Sequence, residues 1–291
     1  MGIYKIDSIL SFCTHKRGET DNDIQDYIGI NGEKQRFALS DGVTNSVLPQ
    51  LWAQLLVEDY LIVENTDDFP SPNLPSKFSE KKKNAKESMT EDQLFMLDLA
   101  EEEFVTSAAT FAGISIGDDI LSWNVIGDSC IFILFENGKL KCISSNENSI
   151  GENGIIQMVF NNHPNVLKSD GTIKGDWVTG SIGIAPAWII IMSDRMSEWF
   201  VSQYNQENDP VNLLRSIRDN ACFEKFVDDE YKAQRLKSDD ESAILIHIAG
   251  IPDNKSNEEE RCQIKESKQI NIFYRIISFF GGCFSRKDNA E

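Results

Sequence analysis

The sequence is poor in the residues that build soft-metal and redox centres. Its 291 residues include six cysteines, and no two of them form a CxxC. Zinc-ribbon and thioredoxin-like chemistry is therefore not expected. Histidine is scarcer still, with His15, His163 and His247 alone, too few for a histidine-rich metal site. The patterns GxxxxGK[ST] and HExxH are missing, which removes P-loop nucleotide binding and the zincin centre. No cysteine is followed six residues later by arginine, so the phosphate loop of cysteine-nucleophile enzymes is missing too. Positive charge is in short supply: 28 Lys and Arg stand against 47 Asp and Glu, a net charge of −19. Such a chain repels nucleic-acid phosphates and anionic membranes, so no nucleic-acid partner is expected. No apolar run is long enough to span a bilayer. The opening MGIYKIDSIL has neither the apolar run of a signal peptide nor the Ser or Thr of a myristoylation signal. These features predict a cytoplasmic protein whose cysteines are small core residues.

What is present is an ordinary globular composition, 41% hydrophobic, with a surplus of carboxylates suited to hard divalent cations. Short apolar runs broken by turn residues predict strands. Tyr27–Ile30 and Arg36–Leu39 flank Asn31-Gly32, a hairpin signal whose central residues would take positive φ. Further strands are expected over Thr110–Ile116, Leu121–Ile126, Cys130–Phe135, Trp188–Met192 and Ala243–Ile248. Helices fit residues 46–62, with Leu51, Leu55, Leu56 and Tyr60 on one face, and also 91–106, 195–204 and 210–226. Residues 64–90, rich in Pro, Ser and Lys, read as a mobile surface loop, and 144–180 as loop-rich.

The globular domain is expected to occupy residues 1–249. A polar linker follows over 250–268, then an apolar and basic tail over 269–291. The tail contains INIFYRIISFFGGCF, too short to span a membrane. It reads as a helix docked on its own domain or on a second copy. The alternative is a segment that binds a partner or a membrane surface.

Hairpin-linked strands with grouped helices indicate an α+β fold, mainly antiparallel. The acids fall at strand ends. Asp41 and Asp194 each close an apolar strand, Asp128 interrupts a pair, Asp239 precedes the last, and Asp26 opens the Tyr27 strand. Converging carboxylates raise one another's pKa, a penalty that a bound divalent cation removes. With oxygen donors only, Mg²⁺ or Mn²⁺ is favoured. Taken singly, each of these aspartates also fits a turn former or a helix cap.

Read in order, the segments resemble the PP2C family of metal-dependent serine/threonine phosphatases, in its divergent bacterial branch. The resemblance rests on Asp23-Ile24-Gln25-Asp26, Phe37–Gly42, Ser107–Phe111, Ile126–Ser129, Ile189–Asp194 and Asp239–Ser242. It implies a four-layer α-β-β-α sandwich of two antiparallel sheets flanked by helices, with two metal ions and a third, weaker one. Asp41, with the carbonyl of Gly42, would bridge two ions. Asp194 and Asp239 would complete one shell, Asp26 would serve the other ion, and Asp128 with Asp194 the third. A metal-bridging hydroxide would hydrolyse phosphoserine or phosphothreonine, with Asp41, Asp194 and Asp239 as the catalytic set. The substrate would be a phosphorylated protein, and a cognate Ser/Thr kinase would be a partner.

The sequence departs from the family pattern in three places. Val43-Thr44-Asn45-Ser46 replaces a glycine-rich continuation, and Arg195 stands where a glycine follows the second Asp. The phosphate-binding arginine is matched by Arg17, somewhat upstream, with Lys16 or His15 as substitutes. These departures support an alternative, a catalytically weak or inactive module that binds a phosphoprotein or kinase. A two-metal nuclease could use the same acids, but the net charge and the lack of a basic groove argue against it.

Overall fold

The computed structural model describes residues 3–104, 106–151, 154–160 and 164–251. The chain opens with β1 (Ile3–Thr14), followed by the hairpin β2 (Tyr27–Asn31) and β3 (Arg36–Ser40). Three helices follow, α1 (Pro49–Ile62), α2 (Leu74–Ser88) and α3 (Glu91–Glu103). A β-rich stretch comes next: β4 (Ala108–Ala109), β5 (Phe111–Ile116), β6 (Ile120–Ile126), β7 (Cys130–Phe135) and β8 (Leu140–Ile143). Short strands β9 (Asn148–Ile150), β10 (Ile156–Met158), β11 (Val166–Lys168) and β12 (Ile173–Lys174) precede β13 (Val178–Gly183) and β14 (Ala187–Met192). Helices α4 (Asp194–Asn205), α5 (Pro210–Arg215) and α6 (Asn220–Lys232) lead to β15 (Glu241–Ile251).

Two five-stranded sheets dominate, ordered β13-β6-β5-β3-β2 and β1-β15-β14-β7-β8. The apolar run Ala187–Met192 shows how they stack. Successive side chains of a strand point to opposite faces. Ile189 and Ile191 meet Phe37, Leu39, Ile114 and Val125 of the other sheet. Ile190 and Met192 meet Trp199 and Phe200 of α4 and Leu214 of α5. A strand buried on both faces needs no polar alternation. On the far side, Ala38 and Phe111 pack with Trp52, Leu56 and Tyr60 of α1 and Phe78 of α2. The order is helices, sheet, sheet, helices, the α-β-β-α sandwich that the resemblance implies. Residues Tyr4–Gly250 form one compact unit. Among the described residues no helix is long and apolar enough to cross a membrane.

Several local expectations are corrected. The β2–β3 hairpin forms, but Asn31 pairs with Arg36, so the loop has four residues, 32–35. Positive φ falls on Gln35 (φ 49°), not on Asn31 or Gly32. The Asn31 side chain accepts the amides of Glu33 and Lys34, which folds the turn without a left-handed Asn-Gly pair. Residues 64–90 hold the fifteen-residue helix α2. Leu74 and Phe78, one turn apart, are buried on the α1 layer. Lys77 pairs with buried Asp59 at 3.2 Å, and Lys81 with Glu58 at 2.9 Å. The lysine run is thus the outer face of a docked helix. The region 144–180 carries five strands or parts of strands, β9 to β13. The helix expected over 210–226 is two helices, because Asp219 caps a new start by accepting the Cys222 amide at 2.8 Å. The linker and tail, 252–291, lie outside the described residues.

Candidate metal centre

Strand register brings the acids to one end of the sandwich. Tyr27 pairs with Ser40, so Asp26 and Asp41, the next residues out, leave the sheet side by side. Met192 pairs with both Cys130 and Ala243. The residues two beyond Met192 and two before Cys130 are Asp194 and Asp128, and Asp239 and Asp240 precede β15 at the same edge. Asp128 also joins the sheets, because β6 belongs to one and β7 to the other. The corner needs Gly127 at φ +98°, where a Cβ would lie 2.5 Å from Thr110. Beside Asp41, a Cβ on Gly42 would lie 2.8 Å from the backbone of Pro49 at the start of α1.

Hydrogen bonds fix the floor of the site. Ser40 Oγ donates to Thr110 O at 2.6 Å, and Thr110 Oγ1 shares a 2.6 Å bond with Ser129 Oγ. The Thr110 amide donates to Asp41 O at 2.8 Å. Asp240 clamps the loop before β2, accepting the amides of Lys16 at 2.8 Å and Gln25 at 2.7 Å.

The electrostatics are those of crowded, buried acids. Burial, then Asp240, Asp194 and Asp239, holds the Asp26 carboxyl well above the usual range. Half-buried Asp41 is held well above it by desolvation, then by Asp26, Asp194, Asp128 and Asp239. Burial and Asp194 push Asp128 up to about 7, against the pull of Arg195. Burial pushes Asp194 up to about 6, with Arg195 opposing and Asp239 adding. Five carboxylates of the expected set therefore share one electrostatic environment.

One member of that environment was not among the expected residues. Glu241, the first residue of β15, is fully buried, and neither carboxylate oxygen has a hydrogen-bond partner. Desolvation, with Asp194, Asp26 and Asp239, raises its pKa well above the ordinary value. Both oxygens of Asp26, 5% exposed, lack partners as well. The Ser242 hydroxyl donates to Cys13 Sγ at 3.2 Å and also acts on the Asp26 carboxyl, lowering its pKa against burial.

The basic groups sort differently from expectation. The Arg17 guanidinium lies over the Tyr231 ring of α6, 4.7 Å from its centroid, and the Arg17 amide donates to Ser238. The Lys16 ammonium stands 3.8 Å from Asp239. Arg195 Nε lies 3.4 Å from Asp194 and 3.6 Å from Asp239. Among the described residues no three His, Cys, Asp or Glu side chains are grouped to hold one ion. The donor chemistry nevertheless fits a hard cation: every candidate is an oxygen, and four buried carboxylate oxygens on Asp26 and Glu241 stand without partners.

No family model matches the sequence, and no curated protein does. Solved structures do. PppA, described as a key regulatory component of T6SS in Pseudomonas aeruginosa, is 14% identical with a TM-score of 0.50, covering 86% of this chain and 100% of that one. The serine/threonine phosphatase Stp1 from Staphylococcus aureus is 13% identical with a TM-score of 0.49, covering 86% and 98%. The catalytic domain of the serine threonine protein phosphatase PstP, solved with two manganese ions, is 15% identical with a TM-score of 0.47, covering 86% and 100%. The fold is that of the PP2C-type phosphatases, in a divergent form. At these identities the likeness speaks for the fold, and the roles of residues rest on the site itself.

Proposed function

We propose that the chain is a metal-dependent phosphoprotein phosphatase acting on phosphoserine or phosphothreonine. The observation that carries this reading is the convergence of Asp26, Asp41, Asp128, Asp194 and Asp239 at one end of the sandwich, with both carboxyl oxygens of Asp26 unsatisfied in the interior. Mg²⁺ or Mn²⁺ ions would be held by these carboxylates and the Gly42 carbonyl. Bound there, they supply Lewis acidity toward phosphate and lower the pKa of water.

The chain's own residues do the positioning. Asp41 leaves a strand buried on both faces, so its carboxylate is presented by a rigid backbone. Asp240 fixes the loop that carries Lys16 and Arg17. Lys16 lies at the acid cluster, while Arg17 is engaged with Tyr231. Lys16 is therefore the better placed of the two to meet a phosphate dianion. A phosphorylated protein is the substrate class, and a Ser/Thr kinase the opposing activity.

A second reading is favoured by Arg195, whose guanidinium neutralises Asp194 and Asp239. In that reading the chain binds a phosphoprotein without efficient turnover. Hydrolysis of an aryl phosphate and of a phosphothreonine peptide, with Mn²⁺, Mg²⁺ and chelator, separates the two. The expected result is metal-dependent phosphate release, lost by at least about a hundredfold in Asp41→Ala, a loss typical of a catalytic group. Peptide binding without release in any metal would favour the second reading.

A further inference from the structure

Among the described residues, one face of helix α3 is packed and the other is not. Thr90 starts the helix with a capping box, accepting the Gln93 amide, so the segment begins on a signal in its own sequence. At about 100° per residue, Leu97 and Glu101 fall on the same side. Leu97 is buried. Glu101 meets Lys82 at 3.2 Å and Lys86 at 2.9 Å, both from α2. These ion pairs tie that side of α3 to α2.

The opposite side carries Phe95, Met96 and Leu99, which are 63%, 63% and 44% exposed. No other large apolar side chain among the described residues is as exposed as Phe95 and Met96. Spacings of three and four residues make the three neighbours on the helix surface, so they form one patch. Apolar side chains exposed singly need no explanation, but a contiguous patch marks a contact surface. The rim of this patch is acidic. Asp92 and Glu103 lie along the same face, with Glu91 and Glu102 beside them. All four are exposed, and none forms an ion pair among the described residues. The helix itself holds no Lys or Arg.

We propose that this face of α3 docks a basic amphipathic segment of a partner protein, apolar on one side with Lys or Arg along its edges. Phe95 is the anchor, and Met96 adapts its shape to the partner. The four free carboxylates select the sign of the partner's charge. A second copy of this chain would bring the same carboxylates against their own kind, on a net charge of −19. An anionic membrane is repelled in the same way. A patch of three side chains makes a weak, salt-sensitive complex. The docking surface lies on the helix layer and does not depend on the phosphatase reading.

The test is fluorescence anisotropy of a labelled synthetic Leu/Lys amphipathic helix, titrated with the full-length protein. A Leu/Glu helix of the same pattern and a scrambled Leu/Lys peptide are the controls. The wild type is expected to bind the Leu/Lys helix and neither control, and added salt should weaken the binding. Phe95→Ala combined with Leu99→Ala should weaken it at least about tenfold, the scale of loss when anchor residues are truncated. Glu102→Gln combined with Glu103→Gln should flatten the salt dependence. Ile120→Ala, at an exposed apolar position on β6, should change nothing. A Tm equal to that of the wild type shows that each fold is kept, and Phe95→Ala alone carries the test if the pair lowers it. Unchanged affinity without Phe95 would overturn the proposal, since binding would then follow from overall negative charge. A dimer in sedimentation that the same variant loses would give the face to a second copy and overturn it too. So would no binding by the full chain. Binding that appears only after removal of residues 252–291 would assign the face to the chain's own tail in place of a partner.

Discussion

The carboxyl groups of Asp128 and Asp194 keep their protons at pH values where an unfolded aspartate has lost its own. Their pKa values are raised to about 7 and about 6 in the folded chain, against roughly 3.9 in an unfolded one. Between these limits the folded state binds more protons than the unfolded state, so stability falls as pH rises. The contribution is fully present below about pH 4, where both states are protonated. It is lost as pH passes through 6 to 7. Acids with lowered values, such as Asp219 and Asp228, act in the opposite sense, but below the ordinary carboxylate range. Thermal melts of metal-free protein should therefore give a lower Tm at pH 7.5 than at pH 5.5. A higher Tm at pH 7.5 would contradict this account of the cluster. Single residues were unevenly legible. The strand-end aspartates stand out because each breaks an apolar run at a turn. Glu241 does not, since beside Asp239 and Asp240 it reads as one more surface acid. The available signal was its direct continuity with Ser242–Ile246, a run buried on both faces. The choice between Arg17 and Lys16 could not be read, because it depends on Tyr231, more than two hundred residues away.

At the scale of elements, α2 is where composition misled most. Prolines, serines and five lysines suggest an extended solvated segment, yet Leu74 and Phe78 share one face and Pro75 lies in the first turn. The helix exists because α1 offers an apolar seat and the acids Glu58 and Asp59. Phe78, packed edge-on against Trp52 at 5.5 Å, is the main anchor. Phe78→Ala should destabilise the protein by about 3 kcal/mol, the low end for a buried aromatic. Urea unfolding monitored by tryptophan fluorescence measures this, and a change below 1 kcal/mol, roughly, would show α2 to be a weakly held appendage. By contrast, β7 and β14 were readable almost to the residue. Their uninterrupted apolar runs have one solution, burial on both faces between a sheet and a helix layer. The edge strand β13 was not, because its alternating exposed residues, with Gly180 and Gly183, resemble a loop.

At the scale of the whole molecule, the sandwich sets acids against one another from two sheets, and the folded chain bears the repulsion. A cation that binds the folded form alone must stabilise it. At a hundred times its Kd, such an ion adds about 2.7 kcal/mol. Saturating Mn²⁺ should therefore raise Tm measurably in the wild type. The increase should vanish in Asp41→Ala, which lacks a central ligand, and an equal increase in that variant would place the ion elsewhere. With a net charge of −19, metal-free protein should also be sensitive to ionic strength, because added salt screens the same repulsion.

The pattern of strands, helices and turns in the sequence determined an α+β fold of mainly antiparallel strands, and the four-layer order came from the resemblance. The pattern also determined which aspartates lie at strand ends, because a carboxylate that stops an apolar strand is a local fact. The tertiary structure decided which charges face which. That Arg195 neutralises Asp194 and Asp239, that Lys16 rather than Arg17 reaches the cluster, and that Asp26 and Glu241 are left without partners follow from side-chain packing across segments distant in the chain. Local pattern places a residue along its own strand or helix, but a counter-ion is chosen by distance in space.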